Sequence, residues 1–449
     1  MNVVVAPNIY THLPNASRPR LYFTQIYKGV GMIKNDGSYH VYADNLLNYE
    51  SFGSLPGSGE TGVDGLYVDP ITGNLFVSLV YADNTSITGF KGKVERFVTN
   101  GNGDGFTSRS TILSNIPISP SHHVHLITRG PDGKLYMGTG DADNPGSAPD
   151  PSQLSGKILR FNEDGSMPAD NPYPGTYVYA SGFRNPFGTT WQPGTGKMFM
   201  TENGPNSHDA LKKVVPGLDH GWSSSRGGNA TAANSIFTWV QTVAPVGLAF
   251  NPGTSGFLPT DNGDLFVGLS GSTYSEGQSA NAKRIMQFKL NSDGTVNSVQ
   301  DFVVYTGTGF SAPIGLAFGR EGMYFTDIYG EAGFTGVGET RGNIYLVRPG
   351  NQNESDLTNT PPPFSAGLGP GRWYPQGLDM VWECKATGGS GTFRYNFVFG
   401  DGTSSGMTDR DNVFHHYPAP GTYTASCTVF DQIIPQSATS TTSITLTNP

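Results

Sequence analysis

The sequence predicts an all-β protein in two parts, a six-bladed β-propeller followed by a small β-sandwich. Three observations predict it. The chain has 449 residues, too many for one ordinary core, which points to two or three domains. It holds 61 glycines and 32 prolines with only 14% charged residues, which favours short strands and tight turns over long helices. One short strand pattern recurs six times and then stops.

The recurring unit is a turn rich in Gly, Pro or Asp followed by a four-residue strand that ends in a small residue. Its copies are Leu21 to Thr24, Leu75 to Ser78, Leu135 to Gly138, Met198 to Thr201, Leu265 to Gly268 and Met323 to Thr326. Successive starts lie 54, 60, 63, 67 and 58 residues apart, enough for one four-stranded blade with loops. Several copies follow a Gly-Leu-x-Val/Phe strand, as at Gly65, Gly247 and Gly315, and several precede an alternating strand such as Lys157 to Phe161. Six such sheets shelter their edges by closing into a ring, whereas a β-solenoid would need shorter repeats.

The propeller is expected over residues 1–349. Residues 350–365, with Thr360-Pro361-Pro362-Pro363, read as an extended linker, and 366–449 as a sandwich whose strands alternate polar and apolar residues. In that last segment Phe397-Val398-Phe399-Gly400-Asp401-Gly402, Phe414-His415-His416-Tyr417 and Pro420-Gly421-Thr422-Tyr423-Thr424 resemble the PKD domain, an immunoglobulin-like sandwich of extracellular carbohydrate-active proteins. A polysaccharide contact through this module is one implied partner. Cys384 and Cys427 fall on strands before and after these motifs, where such sandwiches bridge their two sheets. The alternative is a pair of buried thiols. His415 and His416 read as structural, because no carboxylate or Cys completes a metal set at the usual spacing.

A net charge of −9 excludes a basic nucleic-acid surface, and no stretch of about 18 apolar residues could span a bilayer as a helix. Sequons at Asn15, Asn84, Asn229 and Asn353 and the expected disulfide suit a secreted, extracellular or periplasmic protein.

The densest chemistry is Ser121-His122-His123-Val124-His125, just ahead of the third repeat. Alternation on a strand sets His123 and His125 on one side and His122 on the other. The stretch Gly138-Thr139-Gly140-Asp141, the run Leu154 to Pro172, Ser181-Gly182-Phe183-Arg184-Asn185-Pro186 and Thr201-Glu202-Asn203-Gly204-Pro205 resemble the soluble glucose/sorbosone dehydrogenases that use pyrroloquinoline quinone (PQQ). The resemblance implies a six-bladed propeller that oxidises the anomeric hydroxyl of an aldose by hydride transfer to PQQ, with Ca²⁺ beside it and an external electron acceptor. It makes His122, eight residues before Gly130, the general base. It gives Arg184 and Asn185 to the cofactor, with Arg184 stabilising charge, and Gly204 and Pro205 to Ca²⁺ through main-chain oxygens. The PQQ carboxylates ask for more cations, for which Lys283, Arg284 and Arg341 are candidates; Glu60, His123 and His125 are candidate substrate contacts. The chain departs from the family's pattern at Val124, His125 and Ala210, and the loop Gly271 to Ser275 lacks the family's His and Trp. Two other readings stay open. One is a non-redox polysaccharide lyase or hydrolase in which the His cluster and Arg184 handle a uronate. The other is a carbohydrate-binding propeller without catalysis.

Overall fold

The computed structural model describes residues 2–49, 61–205, 207–222, 234–271, 283–305, 311–327, 342–348, 365–370, 378–387, 393–432 and 435–446. The chain divides into two compact units, one of residues 1–274 and 283–349 and the other chiefly of residues 350–449. Among the described residues the helical structure is two three-residue turns, Asn15–Ser17 and Pro259–Asp261.

The first unit holds six antiparallel sheets among the described residues. Blade 1 is Val3–Val5, Pro19–Gln25, Gly29–Lys34 and Tyr39–Ala43, and blade 2 is Val63–Val68, Leu75–Ala82, Phe90–Thr99 and Phe106–Pro117. Blade 3 is Val124–Arg129, Leu135–Thr139, Lys157–Phe161 and Val178–Ser181; blade 4 is Pro186–Trp191, Met198–Glu202, Ser207–Val214 and Ser235–Gln241. Blade 5 is Pro245–Phe250, Leu265–Leu269, Arg284–Leu290 and Val296–Val304, and blade 6 is Pro313–Gly319, Gly322–Asp327 and Asn343–Val347. Each of the six sequence repeats is the second strand of its blade.

The period of two in those strands builds the ring. In blade 2, Leu75 and Val77 pack towards blade 1 with Tyr22 and Met32, while Phe76 packs towards blade 3 with Leu135 and Met137. The same division recurs around the molecule. It closes where Tyr324 of blade 6 packs with Val3, Leu21 and Phe23 of blade 1. Blades therefore share apolar layers, and removing any one would expose two neighbours to water.

In three blades the fourth residue of the repeat, Thr24, Ser78 or Thr201, ties the blade to the next through its hydroxyl. Ser78 Oγ accepts from Gly65 N–H at 2.8 Å and donates to the His125 carbonyl of the next blade at 2.7 Å. Thr201 does the same between Gly188 N–H and the Val246 carbonyl, at 3.0 and 2.6 Å. The inner-strand glycines permit this approach, since a Cβ on Gly65 would lie 2.3 Å from the His125 carbonyl oxygen and one on Gly247 2.1 Å from that of Ile314.

The second unit is a sandwich. One sheet has Ser365–Pro370, Asp379–Thr387 and Asn412–His416; the other has Ser404–Thr408, Phe393–Val398, Gly421–Asp431 and Ser437–Leu446. Between them lie Trp382, Tyr395, Phe397, Tyr417 and Val429. Cys384 and Cys427 join the two sheets in a disulfide with a Cα separation of 6.2 Å, as the motif positions predict. His415 Nε2 lies 2.7 Å from Asp401 Oδ2, and its ring stacks on Phe399 with centroids 3.9 Å apart, a structural setting. Burial alone would raise the Asp401 carboxyl, but the bonds from Thr403 and His415 outweigh it and hold the group down at about 2.

Candidate active site

The starts of inner strands and the ends of second strands meet at one end of each antiparallel blade, and blades 3 and 4 place their chemistry there. His122 and His123 precede the inner strand of blade 3, and Asp141 follows its second strand. Arg184 and Asn185 hold the equivalent place before the inner strand of blade 4, and Gly204 follows its second strand.

His122 Nδ1 lies 2.5 Å from Asp141 Oδ1 and 3.2 Å from the exposed Asp143. Asp141 is buried, and its second oxygen accepts from Trp222 Nε1 at 2.7 Å. A carboxylate can only accept, so the Nδ1 of a neutral His122 carries the ring proton and Nε2 keeps its lone pair. Gly140 makes the approach feasible: a Cβ there would lie 2.6 Å from His122. Trp222 also places its ring under Arg184, 5.9 Å from the guanidinium carbon.

Arg184 is held by both ends. Its N–H donates to Glu202 Oε1 at 2.6 Å, and Nη1 donates to the carbonyls of Asn203 and Gly204 at 2.9 and 3.0 Å. Burial pushes its pKa down, opposed by Asp141, Glu202, Asp143 and Asp209, yet a guanidinium stays charged. Glu202 in turn forms a fully buried ion pair with Lys212 at 2.7 Å. Asp209 fixes the Gly204 segment from behind, accepting from the N–H groups of Gly204, Val243 and Ala244 at 2.7 to 2.8 Å. Burial raises its carboxyl to about 6 despite these bonds.

His125 Nε2 lies 2.7 Å from Asn185 Oδ1, and Asn185 Nδ2 donates to the Ser121 carbonyl at 3.2 Å. His123 Nδ1 lies 2.9 Å from the Val124 carbonyl and 3.3 Å from Asp64 Oδ2 on blade 2. The His123 and His125 rings touch, with centroids 4.6 Å apart, as strand alternation predicts.

The structure therefore groups His122, His123, His125, Arg184, Asn185 and Gly204, with the half-buried Pro205 next in the chain. Lys283 and Arg284 have other engagements. Lys283 Nζ lies over the Tyr305 ring at 5.4 Å, and Arg284 pairs with Asp301 on the outer strand of blade 5 at 2.7 Å. Glu60, Arg341 and residues 272–275 lie outside the described residues. Motif reading of the sequence assigns no role to Asp141, Asp209, Trp222 or Lys157. Asp141 carries a usable signal, because a buried basic His needs an acceptor for its second nitrogen and Asp141 ends the adjacent strand.

Known proteins resemble this chain in sequence and fold. Residues 377–446 match the PKD domain. Quinoprotein glucose dehydrogenase B of Acinetobacter calcoaceticus is 33% identical over 156 residues, which are 30% of this chain and 32% of that protein. The aldose sugar dehydrogenase YliI of Escherichia coli (strain K12) is 26% identical over 185 residues, 36% of this chain and 49% of that one. The chain thus spans about a third to about a half of the curated relatives it matches. Among solved structures, the PQQ-bound aldose sugar dehydrogenase of Streptomyces coelicolor shares the fold, with a TM-score of 0.56 at 21% identity over 76% of this chain and 92% of that one. Residues 34–286, more than half of the chain, match the glucose/sorbosone dehydrogenase family, and the chain belongs to that family.

Proposed function

We propose that the protein is a PQQ-dependent aldose or pyranose dehydrogenase that oxidises the anomeric hydroxyl of a sugar. The observation that carries this reading is the His122 and Asp141 pair, which leaves a basic Nε2 and is joined to the half-buried Arg184 where the Asp141 N–H donates to the Arg184 carbonyl at 2.7 Å. The donor set suits a tricarboxylate quinone: Arg184 supplies a half-buried cation, Asn185 an amide N–H, and Gly204 and Pro205 the carbonyls for an accompanying Ca²⁺. When bound, PQQ supplies the two-electron oxidant that takes up hydride from the sugar carbon.

The chain's own residues do the rest. His122 Nε2 takes the proton of the anomeric hydroxyl as the C–H bond breaks, and the sugar leaves as its lactone, two electrons poorer. Asp141 holds the ring in the tautomer this needs and stabilises the imidazolium. Arg184 would help hold the quinone and would supply the positive charge that stabilises it on reduction. Trp222 locks Asp141 and underlies Arg184, so one side chain fixes base and cation together.

The disulfide supports an oxidising compartment, and we place the protein outside the cytoplasm with an external electron acceptor. The test is reconstitution. Purified protein with PQQ and Ca²⁺ should reduce a dye in the presence of an aldose, and a protein showing no PQQ affinity by calorimetry would end this reading.

A further inference from the structure

We propose that His125 is a positioning residue, which with the Ser121 carbonyl holds the Asn185 amide in one place and spaces Arg184 from His122. The inference rests on the cofactor reading for its consequence but not for its geometry. His125 is buried, with its ring between His123 and Phe187, whose centroids lie 4.6 and 4.2 Å away. Packing holds the ring in its plane, and the Asn185 contact sets which nitrogen faces the amide.

The polarity of the contact follows from the Asn185 partners. The Ser121 carbonyl can only accept, so the atom 3.2 Å from it is the Asn185 amide nitrogen. The other amide atom, facing His125, is then the oxygen, and His125 Nε2 must carry its proton. Burial, together with neighbouring His123, holds His125 well below the ordinary histidine range, so the ring is neutral and this tautomer is fixed.

Two consequences follow. With its oxygen occupied by His125 and one N–H by Ser121, Asn185 has one N–H left for a ligand. Without His125 the Asn185 oxygen would lose its buried donor and only the Ser121 bond would hold the amide, so the remaining N–H would no longer be aimed at one place. The second consequence is mechanical. Ser121 immediately precedes His122 and Asn185 immediately follows Arg184, so the chain His125, Asn185, Ser121 is a strut between base and cation. A shift of a fraction of an ångström across it would misalign both.

The experiment uses the full chain with His125→Phe, which keeps an aromatic ring but removes the donor, and His125→Gln, which keeps a nitrogen donor near the Nε2 position. PQQ titration should show His125→Phe binding roughly three- to tenfold more weakly, the loss of one buried hydrogen bond, with His125→Gln restoring most of it. Asn185→Ala should weaken binding as well, and adding His125→Phe to it should cause little further loss. A readout without cofactor is the His122 ring resonance in protein labelled at histidine Cε1. It should move in His125→Phe and in Asn185→Ala, with no added movement in the double variant. An unmoved His122 resonance in a folded His125→Phe, or additive losses in the double variant, would overturn the strut. Absence of PQQ affinity in the wild type would defeat the cofactor reading alone, and the resonance would still decide the strut.

Discussion

The Arg184 guanidinium donates to the Gly204 carbonyl at 3.0 Å, so the proposed quinone contact and one proposed Ca²⁺ ligand meet at a single atom. A carbonyl oxygen has two lone pairs and can serve both. The ligands offered are main-chain atoms, so Pro205→Ala should retain Ca²⁺ dependence. Removing Ca²⁺ with a chelator should weaken PQQ binding by about tenfold or more, the scale of a lost cation beside an anionic ligand. Fluorescence titration with and without chelator measures it, and equal affinities would remove Ca²⁺ from the site.

The base is tested through its partner. Asp141→Asn replaces an acceptor with a group that can donate to His122 Nδ1, which drives the proton to Nε2 and removes the base. Sugar oxidation should fall by about 10²–10⁴-fold, as in His122→Ala, while PQQ affinity changes little. Asp143, exposed and 3.2 Å from the same nitrogen, should matter by less than about tenfold when changed to Asn. Steady-state kinetics at saturating PQQ distinguishes the three.

Lys157 is fully buried, and its ammonium donates to the carbonyls of Ser147, Ala148 and Ser155 at 2.7 to 2.8 Å. Burial lowers its pKa to about 7. It clamps the loop that leaves blade 3 after Asp141. Lys157→Met would leave the Ser155 carbonyl without a donor and the Ser147 and Ala148 carbonyls with only the Asp150 and Gly182 N–H groups, which should destabilise the propeller by roughly 1–3 kcal/mol. Denaturant unfolding measures the loss, and activity should fall with it because the loop carries Asp141.

Acid should loosen the same region. His220 stacks on Phe183, and burial, aided by Lys212, lowers its pKa to about 3. Between about pH 6.5 and 3 the unfolded chain binds this proton and the folded chain does not, so stability falls as pH falls, by roughly 1.4 kcal/mol per pH unit. Asp209 acts oppositely: its folded value of about 6 exceeds the ordinary one, so between about pH 4 and 6 the folded state holds the extra proton. His220→Phe should therefore reduce the acid slope of unfolding free energy, and Asp209→Asn should steepen it. Denaturant melts at pH 4.5, 5.5 and 6.5 provide both slopes.

The fold is legible in the sequence because its rule is local. A four-residue strand whose first and third residues face one neighbour and second the other, as in Leu75, Phe76 and Val77, must repeat once per blade. The His cluster is legible as chemistry, and strand alternation correctly pairs His123 with His125. Partnership across long separations is not. Trp222 reaches Asp141 from 81 residues away, and Asn185 meets His125 from 60, through the packing of blade 3 against blade 4 and not through any spacing. Nor does composition separate cations that serve the site from those that brace a blade. Arg184 and Arg284 look alike in the chain, yet Asp301 holds only the second.

The sandwich offers the last test. The Cys384 to Cys427 bridge closes a 43-residue separation between two sheets whose shared core includes Trp382 and Tyr417, themselves hydrogen-bonded at 3.0 Å. Cross-linking over that span restricts the unfolded chain and should contribute about 4 kcal/mol on the chain-entropy account. Cys384→Ala with Cys427→Ala leaves a small cavity between the sheets in addition, so the double variant should lose at least as much. The propeller core is built from its own six apolar layers, so its unfolding transition should stay in place while that of the sandwich drops. Calorimetry of the full chain resolves the two transitions. A sandwich transition unmoved by the double substitution would mean that core packing alone sustains the module, and an oxidising compartment would lose its structural support.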